Sequence, residues 1–206
     1  MTNYKIVVAS GNPGKIKEIK KIFENLKDLK IDIESLDNHL VEEPEEPHDN
    51  FMDNAIHKAK HYAKYTNEAT FSEDSGLCIE ALDNFPGVRT KEFIKESGSA
   101  QAAFVKIEQM LSGHSNYKAS FSTACALYIP INNTLIVNEV KIYGAISFPP
   151  RGETGFGFDP IFIPDGYNQT FAELGMEIKN QLSPRSKATK KIAQILAAIL
   201  QAKPLE

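Results

Sequence analysis

The opening segment of the 206-residue chain, residues 4–26, predicts a strand, a tight loop and a helix in immediate succession. Residues 4–10 (YKIVVAS) have the β-branched density of a buried strand, and the turn formers at 11–14 (GNPG) follow directly. Apolar residues then recur at helical spacing between lysines and glutamates, at Ile16, Ile19, Ile22, Phe23 and Leu26. A strand that runs straight into a helix is typical of folds in which the two alternate.

Strands and helices are predicted to alternate along the rest of the chain as well. Further strands are predicted at residues 31–36, 118–129, 134–146 and 160–164, and residues 70–80 are predicted as two short strands that pivot on Ser75-Gly76. Further helices are predicted at 50–65, 99–111 and 184–201, the last with Ser183 at the cap and Pro184 just inside. We find no internal repeat, and the predicted class is α/β with a mixed sheet.

Size and charge restrict the classes of protein that this chain can belong to. Its length suits one domain, or one domain of two lobes around a cleft. A net charge of -4 argues against a protein that holds a nucleic acid polymer on a basic surface, but it is compatible with a small anion in a pocket.

The chain shows no feature of a secreted or membrane protein. Cys78 and Cys125 are too few for a zinc cluster, and the start lacks the layout of a signal peptide. The apolar tract at 119–131 has polar interruptions and is shorter than the roughly 20 residues of a membrane helix. We expect a cytoplasmic protein with no membrane span.

The loop at residues 10–15 (SGNPGK) is the first candidate site. A turn from a strand into a helix presents backbone N–H groups and the positive end of the helix dipole to an anion. Ser10 and Asn12 add hydrogen-bonding groups, and Lys15 adds a cation. The loop matches neither the Walker pattern nor the GxGxxG dinucleotide pattern, and the alternative is a plain turn with a solvated lysine.

Carboxylates occur in two further candidate segments. The proline-broken loop at residues 42–50 (EEPEEPHDN) offers four glutamates, of which one or two could bind Mg²⁺; the alternative is a solvated loop. Glu73 and Asp74 lie where a predicted strand ends in a turn, and adjacent carboxylates on a strand point to opposite faces. One of them is expected to face a cleft, and the alternative is an aspartate that caps the turn.

Cations and aromatic side chains complete the candidate residues. Lys58 follows Asn54 by one helical turn, and the alternative for it is a solvated lysine. His57 and His61 have the i,i+4 spacing of a metal pair, but no third ligand is obvious. In residues 155–159 (GFGFD) the two phenylalanines could stack on a purine while Asp159 reads a base edge; the alternative is a core position. Lys179 and Arg185 are either nucleotide contacts or surface charges.

Taken together, these segments resemble the inosine triphosphate pyrophosphatase-like family, whose members hydrolyse non-standard purine nucleoside triphosphates such as ITP, dITP and XTP to the monophosphate and pyrophosphate. The resemblance covers nearly the whole chain. It rests on six motifs in the same order, namely SGNPGK at 10–15, FMDNAIHKA at 51–59, SEDSGL at 72–77, Pro86-Gly87, GFGFDPIF at 155–162 and the segment from Lys179 to Arg185.

The resemblance implies a long mixed β-sheet with flanking helices, a single domain of two lobes around a central substrate cleft, a homodimer and a Mg²⁺ cofactor. It implies that Asp74 is the catalytic acidic residue and a metal ligand, that Lys58 faces the phosphates and that Ser75 touches the substrate. Glu45 would be the other metal ligand, with Glu46 as the near alternative. The triphosphate loop would consist of Ser10, Gly11, Asn12, Pro13, Gly14 and Lys15.

The residues that would surround the base are Phe156, Gly157, Phe158, Asp159, Lys179, Pro184 and Arg185. Pro184 stands where the family usually has histidine, and the segment after Pro86-Gly87 (VRTKEF) also departs from the family wording. These two departures concern base selectivity and the dimer surface. The alternatives to the family activity are a pyrophosphatase that acts on modified pyrimidine nucleotides and a nucleotide sensor that binds without turnover.

Overall fold

A computed structural model describes residues 4–26, 29–36, 39 and 41–202 of the chain. In these ranges it contains seven strands and six α-helices. The strands are β1 (Tyr4–Val8), β2 (Ile31–Ser35), β3 (Ala69–Ile79), β4 (Phe85–Pro86), β5 (Lys118–Ile129), β6 (Thr134–Ile146) and β7 (Phe162–Pro164). The helices are α1 (Pro13–Glu24), α2 (Phe51–Thr66), α3 (Thr90–Ser97), α4 (Ala100–Met110), α5 (Phe171–Leu182) and α6 (Pro184–Ala202).

The strands form one sheet in the order β2-β1-β3-β5-β6-β7, and β4 pairs with β3 beside this path. β1 is parallel to both β2 and β3, whereas β4 is antiparallel to β3 and β7 is antiparallel to β6. Parallel neighbours need crossover connections, which α1 and α2 supply. The predicted α/β class with a mixed sheet and flanking helices is therefore confirmed.

The chain divides into two compact units. The first consists of the described residues within Met1–Asp74, Thr123–Val140 and Arg185–Glu206, and the second of Ser75–Ser122 and Lys141–Pro184. Each unit has a buried apolar cluster of its own. The first cluster includes Ile6, Ile19, Phe23, Phe71, Leu127 and Ile192, and the second includes Leu77, Ile107, Phe158, Phe162 and Phe171. The single domain with a central cleft that the family resemblance implies stays a prediction.

The prediction of two short strands at residues 70–80 is wrong, because β3 continues unbroken through Ser75 and Gly76 for 11 residues. Gly76 serves close packing instead of a turn. A Cβ atom there would lie 2.1 Å from the carbonyl oxygen of Gly87 and 2.6 Å from Oγ1 of Thr90. The Thr90 hydroxyl accepts a hydrogen bond from the N–H of Leu77 and donates one to the Gly87 carbonyl. The backbone of β3 therefore passes close to the turn at residues 87–90.

Two helices, α3 and α5, lie where the sequence predicted none. α5 begins with a capping box, in which Thr170 accepts a hydrogen bond from the Glu173 N–H while the Glu173 carboxylate accepts one from the Thr170 N–H. Gly175 interrupts its helical backbone with a φ of 77°. The strands predicted at 118–129 and 134–146 and the helices predicted at 50–65, 99–111 and 184–201 are confirmed. Across the described ranges no helix is both long and apolar enough to cross a membrane.

Candidate active site

The predicted anion loop joins β1 to α1, and its shape is set by Asn12. Oδ1 of this residue caps α1 by accepting hydrogen bonds from the N–H groups of Gly14 at 3.0 Å and Lys15 at 3.2 Å. Pro13 occupies the first helical position, where a missing N–H is harmless. The Asn12 N–H donates to Oγ of Ser10. An anion at this helix end therefore has to compete with the Asn12 side chain or rely on Lys15 and the helix dipole.

Lys15 belongs to a network of four charged side chains in the first unit. Its Nζ lies 2.6 Å from Oε1 of Glu73, and Oε2 of Glu73 accepts a hydrogen bond from Nε of Arg185 at 2.5 Å. Nη1 of Arg185 donates to Glu18 at 3.0 Å. Two positive charges thus face two negative ones. Lys15 has the most exposed side chain of the four, at 25%, so it is the member that can turn to an incoming anion.

Asp74 follows Glu73 in β3 but has separate partners, as the alternation of side chains along a strand requires. Its Oδ1 lies 3.3 Å from Nζ of Lys58, and its Oδ2 accepts a hydrogen bond from the Asn54 amide at 3.2 Å. Nζ of Lys58 also donates to Glu46 at 2.5 Å, so a single ammonium group bridges two carboxylates. Asp74 and Lys58 are 6% and 7% exposed, which shields this bridge from water.

The residues around the Lys58 ammonium fit a magnesium ion. Glu46 and Asp74 share one cation, and Mg²⁺ prefers carboxylate oxygens, often one or two together with several waters. Glu46 is half-buried beside Lys58, whereas Glu45 is exposed. The structure therefore favours Glu46, the near alternative in the sequence interpretation, as the loop carboxylate of a two-carboxylate site.

The two neighbouring carboxyl groups have opposite pKa shifts. Burial raises the pKa of Asp74 to about 6, although the Lys58 ammonium opposes the shift. Burial also acts to raise the pKa of Glu73, but the charges of Arg185 and Lys15 outweigh it and lower this pKa to about 2. Burial lowers the pKa of Lys58, yet the two carboxylates beside it leave that pKa above its ordinary value. The pKa of Glu73 therefore lies far below neutrality, whereas that of Asp74 lies close to it.

The second unit holds the predicted base-binding residues Phe156, Asp159 and Lys179 in contact with one another. Nζ of Lys179 lies 2.5 Å from Oδ2 of Asp159 and 3.8 Å from the centre of the Phe156 ring. The same Asp159 oxygen accepts a hydrogen bond from the Phe156 N–H at 2.8 Å. Phe156 is 37% exposed, whereas Phe158 is packed in the core against Phe104. Of the two phenylalanines, only Phe156 offers a ring to a ligand.

The remaining predicted residues lie at different places in the fold. Gly11 is exposed in the loop before α1, and Ser75 is half-buried in β3. Gly157 adopts a positive φ of 61° in the loop that carries Phe156. Pro184 is the buried first residue of α6. Arg185, predicted beside the base, lies in the first unit with Glu73 and Glu18.

The histidine pair on α2 has a third ring near it. The ring of His48 lies 5.8 Å from that of His57, which is 6.4 Å from that of His61. Nonetheless, within the described part of the chain no three His, Cys, Asp or Glu side chains are grouped so that they could hold a metal ion. The three rings therefore do not form a metal site in this structure.

Two residues of the site, Glu18 and Asn54, were given no role from the sequence, and Glu73 was named only as one of two adjacent carboxylates. In the sequence, Glu18 is one of the lysines and glutamates between the apolar positions of α1, and no role was assigned to Glu73 apart from Asp74. Asn54 had one usable signal, its i,i+4 spacing to Lys58 on the same helix face. The Asn54 side chain is 1% exposed and also hydrogen-bonds to His48 in the acidic loop.

Comparisons with known proteins identify the family of this chain. The sequence model of the Ham1 family matches residues 6–195. A dITP/XTP pyrophosphatase from Bacillus subtilis is 40% identical over 195 residues, which are 93% of this chain and 96% of the relative. One from Zymomonas mobilis is 36% identical over 201 residues, which are 96% of this chain and 92% of the relative.

Solved structures give the same result. A HAM1 protein from Coxiella burnetii matches 97% of this chain and 100% of its own, with a TM-score of 0.84 and 32% identity. A nucleoside-triphosphatase, dITP/XTP pyrophosphatase, from Mycobacterium abscessus matches 95% of this chain and 98% of its own, with a TM-score of 0.74 and 36% identity. The resemblance noted from the six motifs is confirmed, and the chain belongs to the Ham1 family.

Proposed function

We propose that this protein hydrolyses dITP, XTP and ITP to the nucleoside monophosphate and pyrophosphate, with Mg²⁺ held by Asp74 and Glu46. The observation that carries the proposal is the single Lys58 ammonium between these two carboxylates, in a chain similar over most of its length to dITP/XTP pyrophosphatases. A site in which two carboxylates share one cation, with Lys15 held by the neighbouring Glu73, suits the charge of a triphosphate.

The reaction breaks the bond between the α-phosphorus and its bridging oxygen, while a water oxygen forms a new bond to the α-phosphorus. A bound magnesium ion would lower the negative charge on the phosphate oxygens. Asp74, with a pKa near 6, is suited to take the proton of the attacking water at one of its carboxylate oxygens. Lys58 and Lys15 would balance the charge of the departing pyrophosphate.

Lys15 is suited to this role because it is already held at the loop but keeps access to solvent. Glu73 binds it from the buried side, and Glu73 also has Arg185 as a partner. If Lys15 moves from Glu73 to a phosphate oxygen, the buried carboxylate keeps a cation. The exchange therefore leaves no bare charge in the interior, which would be costly.

Phe156, Asp159 and Lys179 are proposed to recognise the base. The Phe156 ring offers a face for stacking, and Lys179 and Asp159, which pair with each other, offer a donor and an acceptor. A base with a 6-oxo group can accept from a lysine, whereas the 6-amino group of adenine cannot. Sites built to hydrogen-bond one substrate group reject analogues that leave their partners unpaired. Pro184 cannot donate a hydrogen bond, so the hydrogen-bond donors to the base must come from the other residues.

The test is a product assay on the purified protein with Mg²⁺ and, separately, ITP, XTP, dITP, ATP and GTP, in which pyrophosphate and phosphate are measured independently. We expect pyrophosphate and monophosphate in equal amounts from ITP, XTP and dITP, and slow turnover of ATP, whose base lacks the 6-oxo group. GTP carries that group together with a 2-amino group, so its rate shows whether position 2 of the base is also discriminated. Phosphate as the sole first product, or equal rates on ATP and ITP, would contradict the proposal. Turnover confined to modified pyrimidine nucleotides, or binding without turnover, would point to one of the two alternatives.

We further propose a cytoplasmic homodimer. The dimer is supported by the family resemblance, and the reducing compartment by Cys78 and Cys125, which are both buried and not joined in a disulfide. Light scattering of the purified protein should give twice the chain mass of 22.9 kDa. A mass equal to one chain at micromolar concentration would exclude a stable dimer.

A further inference from the structure

Asn54 joins three parts of the first unit that the proposed function needs. It lies in α2 one turn before Lys58 and is nearly inaccessible to solvent. Its Oδ1 accepts a hydrogen bond from the His48 N–H at 3.0 Å, and its Nδ2 donates to the His48 carbonyl at 3.0 Å. The same Nδ2 donates to Oδ2 of Asp74 at 3.2 Å.

The pair of bonds to His48 holds the acidic loop in one register. Residues 41–48 form neither helix nor strand, so their position depends on contacts of this kind. One side-chain amide that binds both the N–H and the carbonyl of a single residue sets the position and the direction of the backbone there. Glu46 lies two residues before His48, and its place relative to Asp74 therefore depends on Asn54.

The bond to Asp74 fixes the second carboxylate. Because Asn54 takes Oδ2, Asp74 presents Oδ1 to the cation position now held by the Lys58 ammonium. The helix does not need this side chain for its own start, since Asn50 caps α2 by accepting from the Asp53 N–H at 2.8 Å. All three hydrogen bonds of the Asn54 side chain thus go to the two segments that carry Glu46 and Asp74.

We infer that Asn54 is a positioning residue, which holds Glu46 and Asp74 at the separation at which they share one cation. The inference rests on the proposed function, because that separation matters for the reaction only if the two carboxylates bind the metal. Replacement of a group that hydrogen-bonds to a metal ligand typically lowers metal affinity or activity by about 10- to 100-fold.

The test compares the full chain with Asn54→Leu, which has nearly the same size and no hydrogen-bonding group, and with the smaller Asn54→Ser. Ser72→Ala is the matched control. Ser72 donates a buried hydrogen bond from β3 to the Ala55 carbonyl in α2, so its loss loosens the same helix and strand without touching the loop or Asp74.

Two measurements are made on each variant. Amide hydrogen exchange of the His48 N–H, without metal or nucleotide, reports whether its hydrogen bond to the Asn54 side chain is intact. Titration with Mn²⁺, followed by its electron paramagnetic resonance signal, reports the affinity of the carboxylate pair. In both Asn54 variants we expect His48 exchange to accelerate and the Mn²⁺ affinity to fall about tenfold or more. Ser72→Ala should lower thermal stability and leave both readouts near wild type.

The inference is overturned if either Asn54 variant binds Mn²⁺ as the wild type does, or if His48 exchange is unchanged. It is also overturned if Ser72→Ala weakens Mn²⁺ binding as much, since a general loosening would then explain the effect. These outcomes count against the inference alone when the wild type binds Mn²⁺ and releases pyrophosphate. A wild type that does neither would instead contradict the proposed function, and the two failures are thereby distinguished.

Discussion

Glu73 and Arg185 form a buried ion pair, with Oε2 and Nε 2.5 Å apart, between two residues that are 112 positions apart in the sequence. Arg185 also binds Glu18, and Glu73 also binds Lys15, so α1, β3 and α6 are tied together by charge. Burying these charges is costly, and each depends on its partners for compensation.

Removing Arg185 should therefore destabilise the protein strongly. We expect Arg185→Ala to lower the free energy of unfolding by at least about 3 kcal/mol, because it leaves Glu73 and Glu18 with one cation fewer in the interior. Urea denaturation measures this. The control is Arg89→Ala, which breaks a pair with Glu96 whose side chains are 67% and 64% exposed, and should change stability by no more than about 1 kcal/mol. Equal losses in both variants would contradict the prediction.

The Glu73 network should also make stability depend on pH in the acidic range. The pKa of Glu73 is lowered from 4.5 to about 2 in the folded protein. A lowered pKa means that the ionised form stabilises the fold, so this contribution is complete above about pH 5 and is lost as the pH falls toward 2. In metal-free buffer, the stability difference between wild type and Glu73→Gln should shrink over that range. A difference that stays constant with pH would refute the assignment.

Asp74→Asn should separate stability from catalysis. The pKa of Asp74 is raised from 3.8 to about 6, so its ionised form disfavours the fold, and the penalty grows as the pH rises through this range. Without metal, the variant should be at least as stable as the wild type at pH 8. Most pyrophosphate release should disappear, because the amide cannot accept the proton of the water. Retained turnover would exclude Asp74 as the catalytic carboxylate.

Glu46 and Glu45 should differ in their effect on the magnesium requirement. Glu46 shares the Lys58 ammonium with Asp74, whereas Glu45 is exposed. We expect Glu46→Gln to raise the Mg²⁺ concentration for half-maximal pyrophosphate release by about tenfold or more, and Glu45→Gln to change it little. The two variants have the same change in charge and are neighbours in the loop. A larger effect of Glu45→Gln would reverse the assignment.

The parts of the fold that were predicted correctly have local signals. Pro184 after Ser183 marks the start of α6, and the asparagines at 132 and 133 mark the turn between β5 and β6. β3 was misjudged because a glycine after a serine is a local turn signal, and only the nearness of Gly87 explains it otherwise. α5 was missed although Thr170 and Glu173 have capping-box spacing, since Gly175 interrupts the helical pattern.

Spacing alone predicts contacts of the candidate site only where neighbours in sequence are also neighbours in space, whereas the grouping of Asp159 with Lys179 was expected from the family resemblance. Asn12 and Lys15 share one turn, and Asn54 and Lys58 share one helix face. The pairing of Glu73 with Arg185 joins segments that no spacing rule connects, so it could not be predicted from the sequence. The choice between Glu45 and Glu46 likewise depends on how an irregular loop is tied to α2.

The close approach of Gly76 to the Gly87 carbonyl also limits how this chain can vary through mutation. Any side chain at position 76 must push β3 away from that turn, since even a methyl group would overlap a backbone oxygen that cannot rotate aside. Selection should therefore remove substitutions of Gly76, because they disrupt the fold, although the residue has no chemistry of its own. Two positions after Asp74, natural variants and laboratory libraries alike should retain glycine.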